Sequence, residues 1–165
     1  MSVLDVLFYF FILLSAVGAV AILVSKNVFK SALYLLLTLL SVSALYVLSL
    51  AEFLAVAQIL IYAGGVTVVI IFAVMLTTRI SGQPLIVKNA HILSGGVIGI
   101  SLFILLVQYI PALPSTDKIL TTNPITAIGF EIFSAYSLPF ELAGILLLVA
   151  LIGAAVITSN MKTKA

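Results

Sequence analysis

Cysteine and tryptophan are absent from the 165 residues, and histidine occurs once. The first absence removes disulfides, thiol catalysis and cysteine-held iron–sulfur clusters. A single imidazole, His91, cannot build a multi-histidine metal or haem site. Charge is nearly as scarce. Seven Lys and Arg and five Asp and Glu make up 7% of the chain, where an average soluble domain carries about 25%. So few ionised groups cannot cover a water-facing surface, which excludes both a soluble enzyme and a disordered chain. The net charge of +2 is no footprint for nucleic acid. The sequence holds no nucleophile–base pair, phosphate loop or metal-ligand cluster, and no Lys–Glu pair in mid-membrane. The reading is therefore no catalytic residue and no metal.

What is present is apolar surface: 64% of residues, with a mean hydropathy of +1.43. A membrane-spanning helix needs about 20 such residues. Five runs qualify, at 3–24, 31–50, 53–76, 90–110 and 138–157. They are continuous rather than alternating with period 2, which argues against a barrel. The expectation is an all-α integral membrane protein with five transmembrane helices forming one domain over residues 1–165. Ala19-Val20-Ala21 resembles a signal cleavage site, but no base precedes it and the apolar run continues, so the first helix is read as retained. Lys26, Lys30, Arg79, Lys88, Lys162 and Lys164 fall on one set of alternate connections and Lys118 alone on the other. The positive-inside rule then places the N-terminus outside and the C-terminus inside. The long connection, 111–137, lies outside between helices 4 and 5, with 125–136 a candidate interfacial helix.

Helix 3 departs from a plain lipid-facing pattern. On a straight α-helix Gln58, Tyr62, Gly65, Val69 and Phe72 share one face. An amide and a phenol there want partners, since unpaired polar groups in hydrocarbon are costly. Gly64 and Gly65 are adjacent at mid-membrane depth. Each costs about 1 kcal/mol relative to Ala in a helix interior. The pair either admits a close neighbour or marks a place where the helix bends or adopts π geometry. Glu52 and Glu141 each stand near a helix start, where a carboxylate suits the dipole. Glu141 lies about one turn inside helix 5 after Pro139, and either a capping or a polar-path role fits it. Gly95 and Gly99 in helix 4, and Ala150, Gly153 and Ala154 in helix 5, mark packing faces. His91 beside Lys88 reads as a headgroup-level residue.

The run from Ala51 through Glu52, Gln58, Tyr62, Gly64 and Gly65 to Phe72, Met75 and Leu76 resembles helix 3 of subunit J of NADH–quinone oxidoreductase. That subunit is the bacterial counterpart of the mitochondrial complex I ND-six subunit. Ala127-Ile128-Gly129, Phe133, Tyr136 and the segment from Leu138-Pro139-Phe140-Glu141 to Gly153-Ala154 resemble the family's helix 5, and Asn27 to Leu40 its helix 2. The likeness covers most of the chain and is weakest in helix 4 and the connection after it. The family often has Ala where Gly65 stands and Met where Thr67 stands, and some members carry Glu in place of Gln58. A Gln there argues against direct proton carriage.

The resemblance implies a complex I membrane-arm subunit with no redox centre of its own. FMN, iron–sulfur clusters and quinone would belong to partner subunits, and the neighbours would be subunits A, H, K and N in a bacterial plasma membrane. It also implies a π-bulge in helix 3, falling at 62–66 here, that couples quinone reduction to proton translocation. The coupling residues would be Gln58, Tyr62, Gly64, Gly65 and Val66, with Glu52 and Glu141 as polar supports. The rival reading is a small subunit of a multi-subunit cation/proton antiporter.

Overall fold

The computed structural model describes residues 2–81, 92–110 and 124–162, with side chains described only to 77 before the first gap, from 95 after it, and over 125–159. Among these residues every regular element is helical. In chain order they are α1 (Val3–Val24), α2 (Val28–Leu48), α3 (Glu52–Ala57), a π segment (Gln58–Val66), α4 (Thr67–Ser81), α5 (Ile92–Tyr109), α6 (Pro124–Phe133) and α7 (Ser137–Lys162). Among the described residues, four helices are long and apolar enough to cross a membrane: Val3–Val24, Val28–Leu48, the continuous Glu52–Thr77 and Ser137–Ser159. The fourth expected span is represented by an apolar helix over Gly95–Tyr109, shorter than these. The chain divides into two compact units, Met1–Ala112 and Leu113–Ala165.

The first two helix starts each have a local cause. Ser2 and Asp5 form a reciprocal capping box: the Asp5 N–H donates to Ser2 Oγ at 3.2 Å, and the Ser2 N–H donates to Asp5 Oδ2 at 2.7 Å. Asn27 caps α2, its Oδ1 accepting from the Phe29 and Lys30 N–H groups at 2.9 and 3.3 Å. Helix α2 ends in a tight turn. The Leu50 N–H donates to the Val47 carbonyl at 3.0 Å and the Ala51 N–H to Tyr46 at 2.9 Å, with Leu50 at φ 58. This is the helix-stop geometry in which glycine usually occupies the left-handed position; here a leucine does. The turn brings the next span straight back onto α2.

Helix α2 is the hub of the unit, packing against α1, α3, the π segment and α4. Small residues make the contacts. Gly18, Ala32, Ser41, Ser43, Ala55, Ala63 and Thr67 are buried, while large apolar side chains on the same helices stay exposed. This is how membrane helices pack: small residues let backbones approach, and the large ones face lipid or neighbouring subunits. A β-carbon on Gly18 would collide with Thr38 Oγ1, so α1 and α2 cross there. By contrast, β-carbons on Gly95, Gly99 and Gly153 would meet no atom within 4 Å among the described residues.

In the second unit α6 opens on Pro124, at the position where a missing N–H does no harm. A short turn returns the chain, the Tyr136 N–H donating to the Glu131 carbonyl at 2.9 Å. Phe133 and Phe140 meet edge to face, ring centroids 5.1 Å apart, and tie α6 to α7. The charged residues Lys88, Asp117, Lys118 and Lys164, which enter the orientation by charge, lie outside the described residues together with His91.

Candidate functional site

The third span is the irregular one. Nine residues, Gln58–Val66, take i→i−5 hydrogen bonding between α-helical α3 and α4. Such stretches are rare, and usually a single turn when they occur. They persist only where the surroundings favour them over an α-helix. The segment covers the expected 62–66 and extends one turn further toward the N-terminus.

The glycine pair lies inside it, and its two members are not equivalent. A β-carbon on Gly64 would stand 3.1 Å from the Ile59 carbonyl oxygen, the acceptor five residues back. On Gly65 it would stand 3.6 Å from the Leu60 carbonyl oxygen, an ordinary contact. Gly64 thus avoids a tight contact within the π segment, whereas Gly65 has room for an alanine.

At the segment's end, the Thr67 N–H and the Thr67 hydroxyl both donate to the Tyr62 carbonyl, the hydroxyl at 2.8 Å. The hydroxyls of Thr38, Thr77 and Thr158 donate instead to the carbonyl four residues back, as helical threonines commonly do. Thr67 is fully buried, at 0% exposure. On the N-terminal side, Ser43 of α2 reaches across and donates to the Ala55 carbonyl at 3.0 Å in a buried bond. The π segment is thus flanked by two buried hydroxyls.

The other residues expected to matter are more exposed. Gln58 is half-buried; Tyr62, Gly64, Gly65 and Val66 are exposed on this chain. The single face drawn through Gln58, Tyr62, Gly65, Val69 and Phe72 assumed an unbroken α-helix. A π stretch absorbs about one extra residue, turning the helix before it by about 100° relative to the helix after it. Gln58 therefore no longer aligns with Val69 and Phe72. Glu52 is exposed in the first turn of α3, and Glu141 is exposed on α7, in the other unit. Among the described residues no three His, Cys, Asp or Glu side chains cluster as metal ligands. Ser43 escapes sequence reasoning, although a serine within an apolar span is itself a signal that a partner carbonyl is near.

Among the described residues, an all-helical structure with several apolar spans, packed through small residues and carrying one deformed spanning helix, defines a polytopic membrane protein. The chain belongs to the NADH-ubiquinone/plastoquinone oxidoreductase chain 6 family, matching it over residues 18–157. It is 38% identical to the chloroplastic NAD(P)H-quinone oxidoreductase subunit 6 of Chara vulgaris over 156 residues, covering 90% of this chain and 86% of that one. The Zygnema circumcarinatum chloroplastic subunit 6 is also 38% identical, over 88% of this chain and 87% of its own. A bacterial relative, NAD(P)H-quinone oxidoreductase chain 6 of Leptolyngbya boryana, is 38% identical over 85% and 72%. The protein is accordingly a membrane subunit of a complex I-type oxidoreductase with other subunits of that complex as partners, and the antiporter reading is not favoured.

Proposed function

We propose that this subunit forms one membrane domain of five spans, N-terminus outside and C-terminus inside, and that its third span couples quinone reduction to proton translocation. The observation that carries the coupling role is the nine-residue π segment at Gln58–Val66. A π segment differs from an α-helix by a rotation of about 100° between its flanks. Reversion would rotate Gln58 and Tyr62 relative to α4 while lengthening the span by only about 1.5 Å. Such a rotation can open or close a hydrated path between a quinone site and proton channels held by neighbouring subunits. Gly64 and Gly65 supply the deformability. Glu52 and Glu141 act as polar supports at the ends of spans rather than as carriers. No acid or base lies within residues 53–78, so the protons travel on groups of other subunits.

The neighbours that fit this role are counterparts of subunits A, H, K and N. FMN, the iron–sulfur clusters and quinone would sit in partner chains. The open space around Gly95, Gly99 and Gly153 supports packing faces reserved for such neighbours. The membrane is proposed to be a bacterial plasma membrane; cyanobacterial relatives support a bacterial setting.

The test is Gly65→Leu in the assembled complex. Sealed vesicles should retain part of their electron-transfer capacity while coupled turnover slows several-fold. Wild-type NADH oxidation together with wild-type proton pumping would sink the gate.

A further inference from the structure

The rotation across the π segment also bears on how the span is held in that form. Ala55, Ala63 and Thr67 are its buried residues, and the parts of the span that carry them (α3, the π segment and α4) each pack on α2. In an unbroken α-helix, at about 100° per residue, Ala55 and Thr67 would lie about 120° apart around the axis and could not both face α2. Absorbing about one residue in the π segment reduces that to about 20°, and it brings Ala63 to within about 20° of Ala55. The π geometry is therefore what lets the whole span keep a single buried face on α2. Reversion to α must swing either Ala55 or Thr67 off that face.

Both ends resist. Thr67 is enclosed, and its hydroxyl is already engaged by the Tyr62 carbonyl. At the other end the Ser43 hydroxyl, on a residue only 2% exposed, is joined to the Ala55 carbonyl. A buried hydroxyl that loses its acceptor is costly. That bond crosses from one helix to another, so it exists only while Ala55 faces α2.

We propose that Ser43 is a positioning residue that selects the π register of the third span through its bond to the Ala55 carbonyl, with buried Thr67 as the fixed counterpoint. The register assignment stands on geometry alone; its consequence for coupling rests on the gate described above. Helix α2 carries its own control. Ser41 is equally buried, at 2%, but donates at 2.8 Å to Leu37 on its own helix. Its bond is indifferent to the register of the neighbouring span.

The experiment compares wild type, Ser43→Ala and Ser41→Ala in the intact complex. It reads amide hydrogen exchange over residues 58–67, together with the register seen in a high-resolution map of residues 52–77. Ser43→Ala should speed exchange in the segment about tenfold and raise the α-form fraction, while Ser41→Ala leaves both at wild type. Should Ser43→Ala fail to assemble, Ser43→Cys, of similar size and a weaker donor, is expected to shift both readouts in the same direction by less. Unchanged register and exchange in Ser43→Ala (or in Ser43→Cys where it must stand in), or an equal shift in Ser41→Ala, would overturn the assignment. A shifted register with an unchanged ratio of protons pumped to NADH oxidised would uphold it and remove the gate instead.

Discussion

A single methyl group separates the two central glycines. Gly64→Ala places a carbon 3.1 Å from the Ile59 carbonyl oxygen of the π segment, a tight contact. It should disfavour the π form by about 1 kcal/mol, visible as faster amide exchange across the segment and altered turnover. Gly65→Ala fits, and alanine is the better helix former, so stability should stay near wild type in the same assays. Thr67→Val keeps the branched shape but removes the hydroxyl. A loss of about 1 kcal/mol in stability of the assembled complex is expected, measured by thermal unfolding, with Thr67→Ser retaining most of the donor function. The glycine pair was legible in the sequence because glycine in a membrane span is conspicuous whatever surrounds it. Ser43 and Thr67 were not, because a hydroxyl's role depends on which carbonyl lies opposite, and that is set by the packing of a second helix.

Between elements, the runs of apolar residues marked the helices closely. The first was expected at 3–24 and is Val3–Val24; the last was expected at 138–157 and is Ser137–Lys162. Helix α2 begins earlier than expected because Asn27 caps it directly after α1. The rotation inside the third span was harder to read. Apolar periodicity over Glu52–Thr77 is compatible with an unbroken helix, and only the resemblance and the glycine pair pointed to a bulge. The sharp turn after α2 left no mark either, since Leu50 occupies the left-handed position that glycine normally signals. The contact between α1 and α2 depends on Gly18, whose β-carbon position is taken by Thr38 Oγ1. Gly18→Val should separate these helices and lower the yield of assembled complex, as read by native gel electrophoresis. Gly153→Ala, with open space around it in this chain, tests whether a neighbouring subunit uses that face: loss of one specific partner is the expected result.

At the level of the whole molecule, composition alone declared a membrane protein, and scarce charge gave each ionised residue a meaning. The lack of native cysteine makes the proposed orientation easy to test. A cysteine at Ser2 should react with an impermeant maleimide from outside, and one at Ser25 only from inside. The reverse pattern would invert the topology. Sequence could not show how the third span is held, because the holding groups sit on a different helix. The coupling role requires this span to change register as the complex works. The most direct measurement is a pair of high-resolution maps of the intact complex, at rest and during steady turnover, scored for hydrogen-bond register over Gln58–Val66. The π fraction is expected to differ between the two. The same π fraction at rest and in turnover would contradict a register change.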